Sequence, residues 1–278
     1  MSELAIFSGS AHPDLAQDIC DQLGVPLRPT RLKRFSNDCL EVQLQANCRE
    51  QDVFIIQPLS APVQDNLMEL LLMLDAARGA SAARITAVIP YFSYARSDKK
   101  DAPRISLGGR LVADLLATAG ANRVLTMALA AFAKRLGLPV AAAAKERLDD
   151  TTVKITTLIG EVRHRDVIVL DDEIASGGSI LELLAHLRAH GARSVRVATT
   201  HGIFAGASVE RLAGEADIAE IVCTSTVPIA ASKHVPKLTV LSVAPAFAEA
   251  IRRINSGESV SALFYAEPEA LGATGTAG

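Results

Sequence analysis

Charge of one sign is scarce in this chain: 28 lysines and arginines face 31 aspartates and glutamates, for a net charge of −3 and a pI of about 6.1. No global basic field exists to draw in nucleic acid or an anionic membrane, so neither is an expected partner and any phosphate recognition must be local. Long apolar runs are missing too. The most apolar stretch, Leu67 to Leu74, is interrupted by Glu69 and closed by Asp75, well short of the roughly 20 residues that cross a bilayer. The opening Met-Ser-Glu-Leu-Ala-Ile-Phe-Ser-Gly lacks the basic flank and apolar core of a secretory signal, so the expected location is the cytoplasm.

Cysteine is sparse as well. Cys20, Cys39, Cys48 and Cys223 show no Cys-x-x-Cys spacing, and a chain this long needs no disulfide staples, so reduced thiols are expected. His186 and His190 stand four apart on a predicted helix but lack the Glu of a zinc-hydrolase motif, which favours a solvated face over a metal site.

Hydrophobic residues are plentiful. They make up 49% of 278 residues, enough for one large or two ordinary domains with a substantial core. Short β-branched runs recur at Leu4–Phe7, Val53–Gln57, Ile85–Ile89, Arg123–Met127, Val167–Leu170, Val195–Thr199, Ile218–Cys223 and Leu238–Leu241. Several alternate with helical patterns, which points to parallel α/β sheets. Val63, Leu67, Leu70, Leu71 and Leu74 recur at helical spacing with Glu69 and Asp75 off that face. A second helix is expected from about Ile105 to Thr118, with Leu107, Leu111, Leu115 and Leu116 inward and Gly120 as its stop. Residues 128–137 read as a short helix and 138–144 as a further strand, with a domain boundary near Ala130. The Gly-, Ala- and Thr-rich tail at 268–278 is expected to be disordered.

The strongest chemical signal lies at residues 165–200. Arg165 to Leu170 is a buried-strand pattern, followed by Asp171-Asp172-Glu173-Ile174-Ala175-Ser176-Gly177-Gly178-Ser179 and a helix with Ile180, Leu183, Leu184 and Leu187 on one face. Glycines let main-chain N–H groups approach an anion, the helix N-terminus adds partial positive charge, and Ser176 and Ser179 add hydroxyls. Adjacent carboxylates do not suit the phosphate itself; they suit a neighbouring diol or a Mg²⁺ bound to it. A sugar phosphate satisfies both halves. A plain strand-to-helix turn with capping Asp and Ser is the bland alternative. No Gly-Lys-Ser/Thr ends the loop, so it is not a Walker A loop.

Several stretches resemble the ribose-phosphate pyrophosphokinases (phosphoribosyl-pyrophosphate synthetases). They are Arg34-Phe35-Ser36-Asn37, Phe54-Ile55-Ile56-Gln57, Met68-Glu69-Leu70-Leu71, Ile89-Pro90-Tyr91-Phe92-Ser93-Tyr94-Ala95-Arg96, Asp98-Lys99-Lys100, Thr200-His201-Gly202-Ile203-Phe204 and Leu241-Ser242-Val243-Ala244-Pro245, spread over nearly the whole chain. The resemblance implies two phosphoribosyltransferase-like domains with mostly parallel sheets flanked by helices, at 1–130 and 131–243, with 244–265 packing back on the first. It implies transfer of diphosphate from ATP to ribose 5-phosphate with Mg²⁺, for nucleotide biosynthesis, in a dimer or hexamer. Carried over, Phe35, Asn37, Arg96, Ser97 and Lys99 would contact ATP. Lys145 and Arg147 would serve catalysis, and Arg147, Asp171, Asp172, Ala175, Ser176, Gly177, Gly178 and Ser179 would bind ribose 5-phosphate.

The sequence also departs from that family. Ala128-Leu129-Ala130 stands where relatives carry Asp-Leu-His, a Mg²⁺-ATP element, so the metal ligands are left unassigned. After Ala130 roughly fifty residues of the family are missing, more than a βαβ unit needs. Cys39 replaces a common Glu, Ser97 a Gln, and Ala175 an Asp. These departures motivate a second hypothesis, a silent paralogue acting as a regulatory or structural subunit beside a full-length synthetase. A salvage phosphoribosyltransferase ranks third, since nothing suggests a nucleobase hood.

Overall fold

The computed structural model describes residues 3–97, 103–127, 142–147, 153–261 and 263. Its first half is built on a five-stranded, all-parallel sheet. The strands are β1 (Leu4–Ser8), β2 (Leu27–Arg28), β5 (Asp52–Ile56), β6 (Arg84–Ile89) and β7 (Arg123–Thr126), in the order β2-β1-β5-β6-β7. An antiparallel hairpin, β3 (Thr30–Arg34) and β4 (Leu40–Leu44), projects between β2 and β5. Helix α1 (Pro13–Leu23) follows β1, α2 (Val63–Gly79) follows β5, and α3 (Gly108–Ala119) precedes β7.

Strand β5 is buried along its whole length, as expected of a parallel strand covered on both faces. Val53 and Ile55 meet Leu70, Met73 and Leu74 of α2 and Val112 and Leu116 of α3. Phe54 and Ile56 face the other way, onto Leu15 and Ile19 of α1 and onto Phe247 and Ile251 of a helix from the far end of the chain. That helix, residues 244–256, rests against α1.

The second half is a four-stranded parallel sheet, β10 (Asp166–Ile174), β11 (Ser194–Gly202), β12 (Ile218–Thr224) and β13 (Leu238–Leu241), in chain order. A hairpin, β8 (Ala142–Arg147) with β9 (Val153–Ile159), precedes it. Helix α4 (Gly178–Ala189) follows β10, α5 (Ser208–Gly214) follows β11, and α6 (Ala244–Ser256) is the returning helix. Among the described residues only one face of this sheet has a continuous apolar cover, Val169, Val195, Val197 and Ile221 packing on Ile180, Leu184, Leu187 and Leu212. On the opposite face, Ile168, Arg196 and Glu220 lie side by side in register. Ile168 is 49% exposed, and Arg196 pairs with Glu220 at 3.7 Å.

Three expectations need correction. Glu69, expected off the apolar face of the helix, is nonetheless buried, at 3% exposure. It accepts hydrogen bonds from the Ser10 N–H (2.8 Å), the Ser10 hydroxyl (2.6 Å) and Gln57 Nε2 (3.2 Å). A buried carboxylate is tolerated only when its oxygens are satisfied, and here it pins the loop after β1 to α2. Leu111 and Leu115 are not inward-facing; they are 48% and 39% exposed while Val112 and Leu116, one position on, fill the core against α2, and α3 starts at Gly108 rather than Ile105. Strand β10 does not stop at Leu170 but stays paired with β11 to Ile174, Asp171 opposite Thr199 and Glu173 opposite His201. The boundary near Ala130, the 128–137 helix and the 268–278 tail lie outside the described residues. So does most of the 138–144 strand, of which 142–144 belong to β8.

Replacing Glu69 by Leu is expected to destabilise the chain by about 2–4 kcal/mol, since Ser10 and Gln57 lose a buried acceptor. Asp75→Ala, which removes an exposed pair with Arg78, is expected to cost under about 0.5 kcal/mol. Urea unfolding of both variants checks the contrast.

Candidate active site between the two sheets

The carboxyl end of β10 faces the carboxyl end of β6 across the junction of the two halves. From the first half come Tyr91, directly after β6, and Arg96, in the short 3₁₀ turn Ser93–Arg96. From the second come Asp171, Asp172 and Glu173. Arg96 grips Asp172 with two nitrogens, Nε reaching Oδ2 at 3.0 Å and Nη2 reaching Oδ1. The same guanidinium lies 3.9 Å from Asp171 and 3.8 Å from Glu173. Planar two-pronged pairing of this kind is the strongest form a carboxylate contact takes. Burial works to raise the Asp172 pKa, but the Asp171 contact and Arg96 outweigh it and hold the carboxyl below its ordinary value.

Beyond the acidic run the chain turns at Ala175 and Ser176, both exposed, and enters α4 through Gly177, which sits in the left-handed region with φ +76°. A side chain there is strained, and its Cβ would come within 3.3 Å of Leu212. The turn is tethered from behind: the Ala205 N–H donates to the Ala175 carbonyl at 2.9 Å and Arg211 to that of Ser176 at 2.8 Å. The N–H groups of residues 176–179 make no backbone hydrogen bond among the described residues. They crown a helix of 12 residues, the arrangement that accepts an anion.

Three residues of the junction escaped the sequence reading. The Tyr91 hydroxyl donates to Glu173 Oε2 at 3.1 Å, and its ring packs 4.9 Å from that of His201. His201 Nδ1 pairs with Thr226 Oγ1 at 2.9 Å. Tyr91 and His201 lay inside recognised stretches, but no chemistry in the one-dimensional pattern marked them. Burial pushes the His201 pKa down to about 4, against the opposing pull of Asp172. In the unfolded chain this histidine titrates near 6.5. Its share of stability is therefore complete above pH 6.5 and is lost as pH falls towards 4, because the unfolded state takes up the proton first. His201→Gln is expected to flatten melting temperature against pH between about 7 and 4.5.

The other candidate positions are dispersed. Phe35 is at the hairpin tip, 39% exposed, with Lys33 Nζ 4.6 Å from its ring centroid. Asn37 Oδ1 caps the Cys39 N–H at 3.2 Å, and Arg34 ties the hairpin to Asp65 of α2 at 2.9 Å. Among the described residues no hydrogen bond or ion pair joins the tip to Arg96. Ser97 ends the 3₁₀ turn, its N–H bonded to the Tyr94 carbonyl at 2.9 Å; Lys99 lies outside the described residues. Lys145 and Arg147 fall on β8. No three His, Cys, Asp or Glu side chains among the described residues converge as a metal cage.

Comparison with known proteins follows the same division of the chain. The N-terminal domain of ribose phosphate pyrophosphokinase matches residues 4–120, and the phosphoribosyl synthetase-associated domain matches residues 125–265. A Streptomyces coelicolor protein described as a candidate ribose-phosphate pyrophosphokinase is 56% identical over 315 aligned residues, covering 96% of this chain and 99% of that protein. The Deinococcus radiodurans ribose-phosphate pyrophosphokinase is 44% identical, with 95% and 98% covered. The crystal structure of phosphoribosylpyrophosphate synthetase from Mycobacterium smegmatis superimposes with a TM-score of 0.82 at 32% identity, covering 92% of this chain and 99% of that one. An alignment of 315 positions on a chain of 278 also leaves roughly fifty positions where the Streptomyces protein has a residue and this chain has none. The fold is α/β in two domains of mostly parallel sheets flanked by helices, and the chain belongs to the ribose-phosphate pyrophosphokinase family.

Proposed function

We propose that this chain is a ribose-phosphate pyrophosphokinase that transfers diphosphate from ATP to ribose 5-phosphate, giving phosphoribosyl pyrophosphate and AMP for nucleotide biosynthesis. Its two domains are residues 1–130 and 131–243, with 244–265 returning to the first. The 5-phosphate sits on the amides and hydroxyls of residues 176–179, beside Ala175, while Asp171 and Asp172 accept hydrogen bonds from the ribose hydroxyls. Arg96, with Ser97 and Lys99, meets the ATP phosphates, and Phe35 and Asn37 hold adenine. The observation that carries this reading is the meeting of Arg96 with the acidic run directly upstream of the amide crown.

The anomeric oxygen of ribose 5-phosphate attacks the β-phosphorus of ATP, its proton leaves, and the bond from that phosphorus to the α-phosphate oxygen breaks to release AMP. Such transfer depends on positioning and charge neutralisation. Arg96 supplies a fixed cation on the ATP side, and Lys145 and Arg147 add positive charge over the transferring group, Arg147 also reaching the sugar phosphate. Two adjacent carboxylates fit Mg²⁺, which takes one or two protein oxygens and completes its shell with water and phosphate oxygens. Bound there, the ion would neutralise diphosphate charge. The Arg96–Asp172 pair has to be shared or exchanged as substrates arrive, since both partners are needed for them. The enzyme works in the cytoplasm as a dimer or hexamer.

AMP release from ATP on adding ribose 5-phosphate and Mg²⁺ tests the reading; none from a folded sample rejects it. The gap of roughly fifty positions favours one other reading, a silent subunit of a full-length synthetase. Co-purification with such an enzyme, without turnover, would support that instead.

A further inference from the structure

The first half of the chain touches the acidic run at two places with different chemistry. Arg96 holds Asp172 through charge, near the surface. Tyr91 works deeper: it is 8% exposed, its hydroxyl donates to Glu173 Oε2 at 3.1 Å, and its ring lies 4.9 Å from His201. Glu173 and His201 face each other across the β10–β11 ladder, so one phenol spans both members of a register pair. His201 is fixed in turn by Thr226. Glu173 lies one residue from Asp172, and His201 sits opposite it on the neighbouring strand β11.

Side chains on a strand alternate between faces. Glu173 and Asp171 therefore share one face of β10, while Asp172 takes the other. The β10–β11 ladder holds the backbone of this run, and a hydrogen bond that fixes Glu173 restrains the end of the strand that carries both aspartates. We propose that Tyr91 is a positioning residue for sugar recognition: through Glu173, and with His201 behind its ring, it aims the Asp171 and Asp172 carboxylates at the ribose hydroxyls. This rests on the ribose 5-phosphate reading above and adds a residue that touches neither the sugar nor the phosphate.

Groups held only by distant support lose affinity sharply when that support is cut, because a small misplacement spoils several hydrogen bonds at once. Tyr91→Phe removes one oxygen and keeps the ring against His201, so the fold is retained. Calorimetry with two probes then separates positioning from general damage. Ribose 5-phosphate uses both carboxylates and amide crown, whereas inorganic phosphate uses the crown alone. The expected result for Tyr91→Phe is a Kd for ribose 5-phosphate raised about tenfold, with that for inorganic phosphate within about twofold of the parent. Glu173→Gln keeps an acceptor for the phenol and is expected to bind ribose 5-phosphate within about threefold of the parent; Glu173→Leu is expected to match Tyr91→Phe. The double variant Tyr91→Phe/Glu173→Leu should be no worse than either single one, as residues acting through one bond are not additive.

Unchanged ribose 5-phosphate affinity in Tyr91→Phe, a parallel loss for both probes, or additive losses in the double variant would each overturn the assignment. A parent chain that ignores ribose 5-phosphate would instead sink the function proposed above, and this inference with it.

Discussion

Ribose 5-phosphate binding is expected to fall at least about a hundredfold when Asp171 and Asp172 are both replaced by Asn, while inorganic phosphate binds within about threefold of the parent. In the proposed reading each carboxylate offers charged acceptors to sugar hydroxyls, and a hydrogen bond to a charged group contributes about 1.5–3 kcal/mol. Two such losses exceed a factor of one hundred. The amide crown at 176–179 is untouched by the change, because its shape is set by Gly177 in the left-handed region and by the tethers from Ala205 and Arg211. Arg96 also loses its charged partner at Asp172, but both groups are about half exposed, so the fold loses little. Calorimetry with both ligands, beside a melting curve, separates the loss of sugar recognition from unfolding. An equal loss for both ligands would show that the aspartates serve the loop rather than the ribose.

The second large effect concerns Arg96. Arg96→Ala is expected to lower AMP release by about a hundred- to a thousandfold, the usual consequence of deleting one preorganised donor aimed at developing charge. It also leaves Asp171, Asp172 and Glu173 crowded without their shared cation, so the Asp172 pKa should rise from its depressed value. Arg96→Lys retains the charge but not the planar two-pronged contact, and an intermediate loss is expected. Initial rates at saturating ribose 5-phosphate give the comparison. Equal rates for Arg96→Lys and the parent would mean that charge alone matters at this position.

Much of this arrangement was legible in the sequence because it rests on strong, local signals. Apart from two-residue β2, the strands of both sheets announced themselves as β-branched runs, and the Ser176-Gly177-Gly178-Ser179 turn followed from glycine placement before an amphipathic helix. What stayed hidden depended on partners far along the chain. Hairpin β3–β4 was missed although β4 alternates half-buried Leu40, Val42 and Leu44 with exposed Glu41 and Gln43; its partner β3 is exposed from Arg31 to Arg34 and carries no such pattern. Acidic residues are poor strand formers, yet the ladder with β11 draws Asp171, Asp172 and Glu173 into β10. Glu69 read only as a residue off the apolar face of α2, because the donors that bury it, Ser10 and Gln57, lie 59 and 12 residues away. Tyr91 gained its role only through Glu173, 82 residues on.

The departure from the family has a structural counterpart. In the first sheet β5 is covered on both faces and buried throughout. In the second, β10 stands at the edge among the described residues, with Ile168 half exposed and Arg196 and Glu220 beside it. Parallel sheets ordinarily bury both faces. A gap of roughly fifty positions relative to the Streptomyces protein is long enough to contain a strand and its covering helix.

Titration of the intact chain with ribose 5-phosphate in a calorimeter, repeated in the presence of excess inorganic phosphate, bears most directly on whether the acidic run and the amide crown form one sugar-phosphate pocket. Saturable binding near one ligand per chain, weakened by phosphate in a competitive manner, is the expected outcome. No heat of binding from a folded sample, or binding indifferent to phosphate, would contradict it.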